Sequence, residues 1–190
     1  MKKVLITGGT SGIGLATLEK LVLNYEVIFT YCSNETKALK LEEKYNIKGY
    51  RLDLNDKNSI EELVSKLDNI DILINNAGIA LDNDFNLKTY EEFSKVVNTN
   101  LTGTYYLTKL LVKKINSGGE IIFVSSTNGV DTPYIESIDY DASKAGVISL
   151  MQNMANMLAP NLRVNAVAPG WGNTKMNETL SEEFKKAEEE

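Results

Sequence analysis

"KVLITGGTSGIG", residues 3–14, runs from an apolar β-forming segment straight into a glycine-rich loop and then into a helical pattern. A loop placed this way is a ready anion site, because the first N–H groups of the helix are unpaired and its dipole is positive there. A loop that holds a dinucleotide needs glycine for a tight turn, for close backbone approach to the pyrophosphate, and for close helix–strand packing. Gly8, Gly12 and Gly14 fill those roles, with Thr10, Ser11 and Ile13 between them. The spacing is Gly-x-x-x-Gly-x-Gly rather than the commoner Gly-x-Gly-x-x-Gly, so a glycine turn without a ligand is the competing reading.

Outward from this loop, short β-rich runs alternate with helical patterns. The strand candidates are "KVLIT" (3–7), "EVIFTY" (26–31), "KGYRLD" (48–53), "IDILIN" (70–75), "EIIFVS" (120–125) and "RVNAVA" (163–168). Several are nearly continuous in Val, Ile, Leu and Phe, as expected of parallel strands covered on both faces. Helical segments lie near 12–23, 34–45, 57–67, 89–115 and 139–158. Asn34, and Asn58 or Ser59 ahead of Glu61 and Glu62, read as helix starts. Six strands separated by helices predict an α/β fold, a Rossmann-type doubly wound parallel sheet in one domain spanning 1–190. The closing "SEEFKKAEEE" reads as a polar helix or a frayed tail.

Composition narrows the chemistry. Histidine is absent, which removes Ser-His-Asp and Cys-His schemes and leaves Tyr, Lys, Asp, Glu or water to move protons. The lone Cys32 excludes an intrachain disulfide, and there is no Cys/His cluster for a structural metal. With a net charge of −6 and only Arg51 and Arg163 as guanidinium groups, a nucleic-acid partner is not expected. No apolar run is long enough for a membrane span or a signal peptide, so the expected compartment is the cytoplasm.

Tyr140 and Lys144, in "SIDYDASKAG" (137–146), stand one helical turn apart. Nine tyrosines and eighteen lysines in 190 residues produce about one such pair by chance. A second pair, Tyr105 with Lys109, is indeed present. Spacing alone does not choose between them.

Context does. "TGGTSGIG" (7–14), "NNAG" (75–78), "NTNLTG" (98–103), "VSS" (124–126), "YDASK" (140–144) and "APG" (168–170) occur in one order along the whole chain. Together they resemble the short-chain dehydrogenase/reductase family of NAD(P)-dependent oxidoreductases, and most of all its 3-oxoacyl-carrier-protein reductase and sugar/polyol dehydrogenase members. The resemblance implies that Tyr140 is the acid in carbonyl reduction and the base in alcohol oxidation. Lys144 would lower the phenol's pKa and hold the nicotinamide ribose. Bringing it down by two to three units takes roughly 3–4 kcal/mol, which Lys144 and an oxidised nicotinamide together can supply. Ser126 would bind the substrate carbonyl, with Thr127 as its reserve, and Asn100 would hold a water that links Lys144 to solvent. Tyr105–Lys109 is then a packing or subunit contact. For the cofactor, Asn75 and Asn76 would tie neighbouring strands, and Ala77 and Gly78 would pass beside the adenosine ribose. Asp53 and Leu54 would meet the adenine, Asp53 having helix capping as its alternative, and Pro169, Gly170 and Thr174 would complete the site.

Two departures from the family stand out. Tyr140 stands fourteen positions after Ser126, where the family has thirteen. After "PGWGNTKM" the family continues through another helix and a seventh strand, so six strands are expected here, with the sixth a potential sheet edge. The stretch "FTYCSN" (29–34) carries no acid before Glu35, and Tyr31, Cys32, Ser33 and Asn34 offer no repulsion to a 2′-phosphate. NADP(H) is therefore expected over NAD(H). The loops at 79–88, 128–138 and 171–190 supply Leu81, Phe85, Tyr134, Ile135, Trp171 and Met176, either to the pocket rim or to loop packing. The expected partner is a small-molecule carbonyl or alcohol substrate, with a homo-oligomer (dimer or tetramer) formed through the helices at 101–115 and 140–158. A nucleotide-binding protein without turnover is the alternative function.

Overall fold

A computed structural model of the protein describes residues 1–170. Six strands, β1 (Lys3–Ile6), β2 (Glu26–Tyr31), β3 (Lys48–Arg51), β4 (Ile70–Asn75), β5 (Ile115–Val124) and β6 (Arg163–Val167), pair in parallel. Their order across the sheet is β3-β2-β1-β4-β5-β6. The continuous apolar runs have their reason in the layers. Successive side chains of a strand point to opposite faces, and both faces are covered. Leu5 packs with Leu73, Ile121 and Phe123 under α3 (Lys57–Lys66), α5 (Thr104–Leu111) and α6 (Ile138–Leu158). Its neighbours Val4 and Ile6 face the other way, toward Phe29, Ile72 and Ile74 beneath α1 (Gly12–Leu21) and α2 (Glu35–Tyr45).

The chain leaves β1 toward β2 and β3, then returns to lay β4 on the other side of β1. That reversal opens a crevice beyond the carboxyl ends of β1 and β4, where ligands bind in sheets of this kind. Among the described residues β6 is a sheet edge, and no helix is long and apolar enough to cross a membrane.

The structure corrects several expected boundaries. The single helix expected over 89–115 is α4 (Tyr90–Val97), a π-helix (Asn98–Gly103), α5, and a short 3₁₀ turn (Val112–Lys114). The break is tertiary in origin. A Cβ at Gly103 would lie 2.0 Å from the Leu54 carbonyl oxygen, so this turn packs directly on the backbone that follows β3. β5 begins at Ile115, not at 120, and a register shift opposite Ile70/Ile72 absorbs "NSGG" (116–119). Gly118 takes a left-handed φ of +79° there. Helix α2 is capped as expected, Asn34 Oδ1 accepting the Lys37 N–H at 3.2 Å. The cap of α3 is Asp56, which accepts the Asn58 N–H at 2.9 Å, rather than Asn58 or Ser59.

Candidate active site

A cavity of about 670 Å³ fills the crevice, with the glycine loop at one end and Tyr140 at the other. Gly8 and Gly12 take left-handed φ values of +70° and +50°, which glycine adopts without strain. Gly14 has no room for a side chain, because a Cβ would sit 2.2 Å from the Gly8 oxygen and 2.4 Å from Asn76 Nδ2. Asn76 ties the two strand ends together. Its Nδ2 donates to the Thr7 carbonyl at 2.9 Å, while Thr7 Oγ1 accepts the N–H groups of Asn76 and Ala77 at 3.0 and 2.9 Å. Ser11 makes no side-chain cap bond to α1, so the first N–H groups of that helix have no such partner. Glycine backbone, helix N-terminus and cavity together fit a pyrophosphate.

The end of the cavity where the sequence leads one to expect the adenine lies at the tips of β2 and β3. Tyr31, Cys32, Ser33 and Asn34 line the cavity, opposite Asp53 and Leu54. Asp53 is not a helix cap, since its Oδ1 accepts the Asn55 N–H at 2.8 Å. Burial and then the Asp53 carboxylate push the Cys32 thiol up, while Arg51 and Lys95 oppose them. Lys95, on α4, also lines the cavity.

At the far end, α6 is held against the tip of β5. Lys144 Nζ donates to the Val124 carbonyl at 2.7 Å, and Ser125 Oγ donates to the Lys144 carbonyl at 2.9 Å. Burial lowers the Lys144 pKa from 10.5 to about 8. The expected lowering of the Tyr140 phenol by Lys144 is not what the protein alone produces. Burial pushes the phenol above 10.0, Ser126 pulls against it, and the carboxylates of Asp141 and Asp82 push it further up. Lys144 Nζ stands 5.4 Å from the Tyr140 ring centroid, with one of its three protons directed at the Val124 carbonyl. Desolvation is the larger effect in this pocket.

The structure brings together most of the residues expected from the sequence. Gly8, Thr10, Ser11, Gly12, Ile13, Gly14, Asn76, Ala77, Gly78, Ser126, Tyr140, Lys144, Pro169 and Gly170 all line the cavity. Thr174, Trp171 and Met176 lie outside the described residues. Asn100 does not line it. It is buried in the π-helix, where Nδ2 donates to the Ile79 carbonyl at 2.8 Å and to Ser143 Oγ at 3.1 Å, and Oδ1 accepts the Ile79 N–H at 2.8 Å. Both amide protons are spent, so the side chain cannot donate to a water; it pins the segment after Gly78. Asn75 reaches helix α5 through Thr108 Oγ1 at 2.9 Å rather than a neighbouring strand, and Asn76 alone makes the strand tie. Thr127, the reserve for Ser126, does not line the cavity, whereas Ser126 does. The Thr127 N–H donates to the Pro169 carbonyl at 3.0 Å, and Ser126 is the one beside the phenol.

The lining near Tyr140 is less apolar than the loops suggested. Leu81, Phe85, Tyr134 and Ile135 do not line the cavity, whereas Ile79, Ala80, Asp82, Asn128 and Ser137 do. Tyr105 lies outside it and is 40% exposed. Asn128 and Lys95 went unread in the sequence, since an Asn in a loop and a Lys on a helix are ordinary there.

Residues 2–185 match the family profile described as short chain dehydrogenase. The 3-oxoacyl-[acyl-carrier-protein] reductase FabG of Aquifex aeolicus is 39% identical over 97% of this chain and 79% of its own length. The acetoacetyl-CoA reductase of Rhizobium meliloti is 33% identical over 94% and 77%. Among solved structures, BdcA in complex with NADPH has a TM-score of 0.91 at 26% identity, covering 97% of this chain and 77% of the other. A short chain dehydrogenase from Burkholderia cenocepacia in complex with NADP has a TM-score of 0.91 at 26% identity, with coverage of 97% and 80%. With a glycine loop at one end of the crevice and a serine, tyrosine and lysine at the other, the chain belongs to the short chain dehydrogenase family of NAD(P)-dependent oxidoreductases.

Proposed function

We propose that this protein reduces a 3-oxoacyl thioester to the 3-hydroxyacyl thioester, with NADP(H) favoured over NAD(H). The observation that carries the reading is the convergence of Ser126, Tyr140 and Lys144 at one end of a cavity whose other end is the glycine loop. When bound, the dihydronicotinamide supplies the hydride. Ser126 donates a hydrogen bond to the carbonyl oxygen, holding it beside Tyr140, and Tyr140 gives that oxygen its proton. Lys144 holds the ribose and bears a positive charge at neutral pH, which stabilises the phenolate as it forms. Burial around Tyr140 favours the protonated phenol and suits the reducing direction.

The thioester class is supported by relatives that include both acyl-carrier-protein and CoA reductases. NADP is supported by the neighbours solved with NADPH and NADP, and by a β2 tip without a carboxylate before Glu35. Assembly into a dimer or tetramer through 101–115 and 140–158 completes the reading, and a monomer by light scattering contradicts it. The central experiment is NADPH oxidation over a panel of ketones, sugars and 3-oxoacyl thioesters, with cofactor affinity measured in parallel. Turnover on thioesters, lost in Tyr140→Phe, is the expected result. Tight cofactor binding with no turnover, or undiminished turnover in Tyr140→Phe, refutes it. NADH binding at least tenfold tighter than NADPH refutes the cofactor preference.

A further inference from the structure

A carbonyl oxygen is held by hydrogen-bond donors, so the protons left unplaced near Tyr140 decide what fits there. Asp82, Ser125, Asn128 and Ser137 line the cavity alongside Ser126, Tyr140 and Lys144. The Asp82 carboxylate only accepts. Ser125 gives its one proton to the Lys144 carbonyl at 2.9 Å, and Ser137 gives its own to Asp82 Oδ1. Asn128 is different. Its Nδ2 carries two protons, of which one goes to Asp141 Oδ1 at 2.9 Å, and the other has no acceptor among the described residues. An asparagine amide can in principle turn over and exchange its oxygen for its nitrogen. Asp141 settles the direction here, because a carboxylate cannot donate to an amide oxygen, and its Oδ2 already accepts the Tyr134 N–H at 2.8 Å. Nδ2 therefore faces Asp141, and Oδ1 faces Ser126.

We propose that Asn128 is a substrate-binding residue whose remaining Nδ2 proton holds the thioester carbonyl of a 3-oxoacyl thioester, while Ser126 and Tyr140 hold the ketone oxygen. The inference rests on the reading of Ser126, Tyr140 and Lys144 as the reductase site. The two donors are neighbours. Ser126 Oγ lies 3.1 Å from Asn128 Oδ1, and Oδ1 and Nδ2 hang from one amide carbon. The two oxygens of a 3-oxoacyl group are neighbours as well, on carbons separated by a single methylene, so the turn that carries both side chains can meet both oxygens. The Asn128 backbone N–H, 3.3 Å from Ser126 Oγ, keeps that oxygen in place while its proton turns from Oδ1 to the arriving ketone. Asp141 follows Tyr140 on α6, so the amide is fixed to the helix that carries the acid. A simple ketone engages Ser126 and Tyr140 and leaves the Nδ2 proton unmet. Asn128 is thus the group that tells a 1,3-dicarbonyl from a plain ketone, as a donor built for one oxygen discriminates against the analogue lacking it.

The test compares two ligands of one length: the acetoacetyl thioester of N-acetylcysteamine, and the thioether ketone with a methylene in place of its thioester carbonyl. Each is reduced with NADPH by the parent, by Asn128→Ala and by Asn128→Leu, the leucine being close to isosteric and guarding against collapse of the turn. Either substitution also removes the Oδ1 partner of Ser126, which acts on both ligands alike. The readout is therefore the ratio of the two kcat/KM values, from which the shared effect cancels. In both variants the parent's preference for the thioester falls by about tenfold, one hydrogen bond's worth. A ratio that stays at the parent's value in either variant overturns the inference, and equal losses on the two ligands are that result. Affinities of both ligands for the protein–NADP⁺ complex, by calorimetry, give the same ratio where either is not turned over. Absence of turnover of both by the parent overturns the proposed function instead, and the affinity ratio still decides whether Asn128 contacts the thioester carbonyl.

Discussion

Replacing Lys88 with methionine removes one partner from an ion pair that has almost no access to water. Lys88 Nζ donates to both carboxylate oxygens of Asp139, at 3.1 and 3.0 Å, and to the Leu81 carbonyl. The two side chains are 5% and 0% exposed. At 3.0 Å and an effective dielectric near 20, the attraction is about 5 kcal/mol, and the desolvation of two ions offsets most of it. The intact pair therefore contributes little net stability. The single variant is different, because it leaves the Asp139 carboxylate buried with the Tyr140 N–H at 2.9 Å and no cation. The expected loss is about 3–5 kcal/mol, or on the order of 10 °C in Tm for a domain of this size. Adding Asp139→Asn removes the charge while keeping an acceptor for the Tyr140 N–H, and it should recover most of that loss. Urea unfolding of the parent, the single and the double variant measures all three on one scale. A Lys88→Met variant within 1 kcal/mol of the parent (~1 kcal/mol being one hydrogen bond's worth) would refute this reasoning, as would a double variant less stable than the single.

Three further outcomes follow from the same geometry. Gly14→Ala places a Cβ 2.2 Å from the Gly8 oxygen, so it costs about 1–3 kcal/mol of stability and spoils the loop; NADPH affinity, read by fluorescence titration, should fall roughly a hundredfold, equivalent to about 3 kcal/mol, and parent-like affinity would show that the loop does not hold the cofactor. Lys144 is held near 8 in the folded chain against 10.5 in the open chain, so between those values the unfolded state carries the extra proton and stability rises with pH. Across pH 8–10, Tm of the parent should climb relative to Lys144→Met, and parallel curves would show that the buried amine keeps its ordinary pKa. Tyr105→Phe should leave kcat and KM unchanged, whereas Tyr140→Phe lowers kcat by about 10²–10⁴-fold; a loss above about tenfold in Tyr105→Phe would count against the assignment, since ~1.4 kcal/mol is too much for an exposed hydroxyl.

What could be read from the residues was what local rules control. The runs around Leu5, Leu73 and Ile121 are apolar at nearly every position because both sheet faces are covered, and that pattern is visible without coordinates. Gly8 and Gly12 were legible because a left-handed turn needs glycine. The π-helix at Asn98–Gly103 was not, since apolar spacing continues through it; its cause is Gly103 meeting the Leu54 carbonyl, 49 positions earlier in the chain, and Asn100 clamping Ile79. The choice between Ser126 and Thr127 turned on how the 128–138 loop takes up one extra residue. Asn128 was invisible for the same reason, because its partners Ser126 and Asp141 meet it only once that loop closes on α6.

The two Tyr-x-x-x-Lys pairs show why spacing carried so little. Lys109 Nζ lies 5.9 Å from the Tyr105 ring centroid and Lys144 Nζ lies 5.4 Å from that of Tyr140, nearly the same geometry, because any helix brings i and i+4 together. The difference is in what each helix rests on. Tyr105 is 40% exposed on α5, and no cavity-lining residue comes from that helix. Helix α6 is drawn onto the tip of β5 by the Lys144–Val124 and Ser125–Lys144 hydrogen bonds. A Cβ at Gly129 would fall 2.6 Å from the Lys144 carbonyl carbon, so the 3₁₀ turn after Ser126 lies directly on the same helix turn. Lysine, serine and tyrosine are thereby referenced to one strand end, and that strand borders the crevice where β1 and β4 diverge. Proton transfer requires the acid within hydrogen-bond reach of the reacting oxygen, so the proposed function assigns it to the pair that is fixed to the sheet and lines the cavity rather than to the pair that faces solvent.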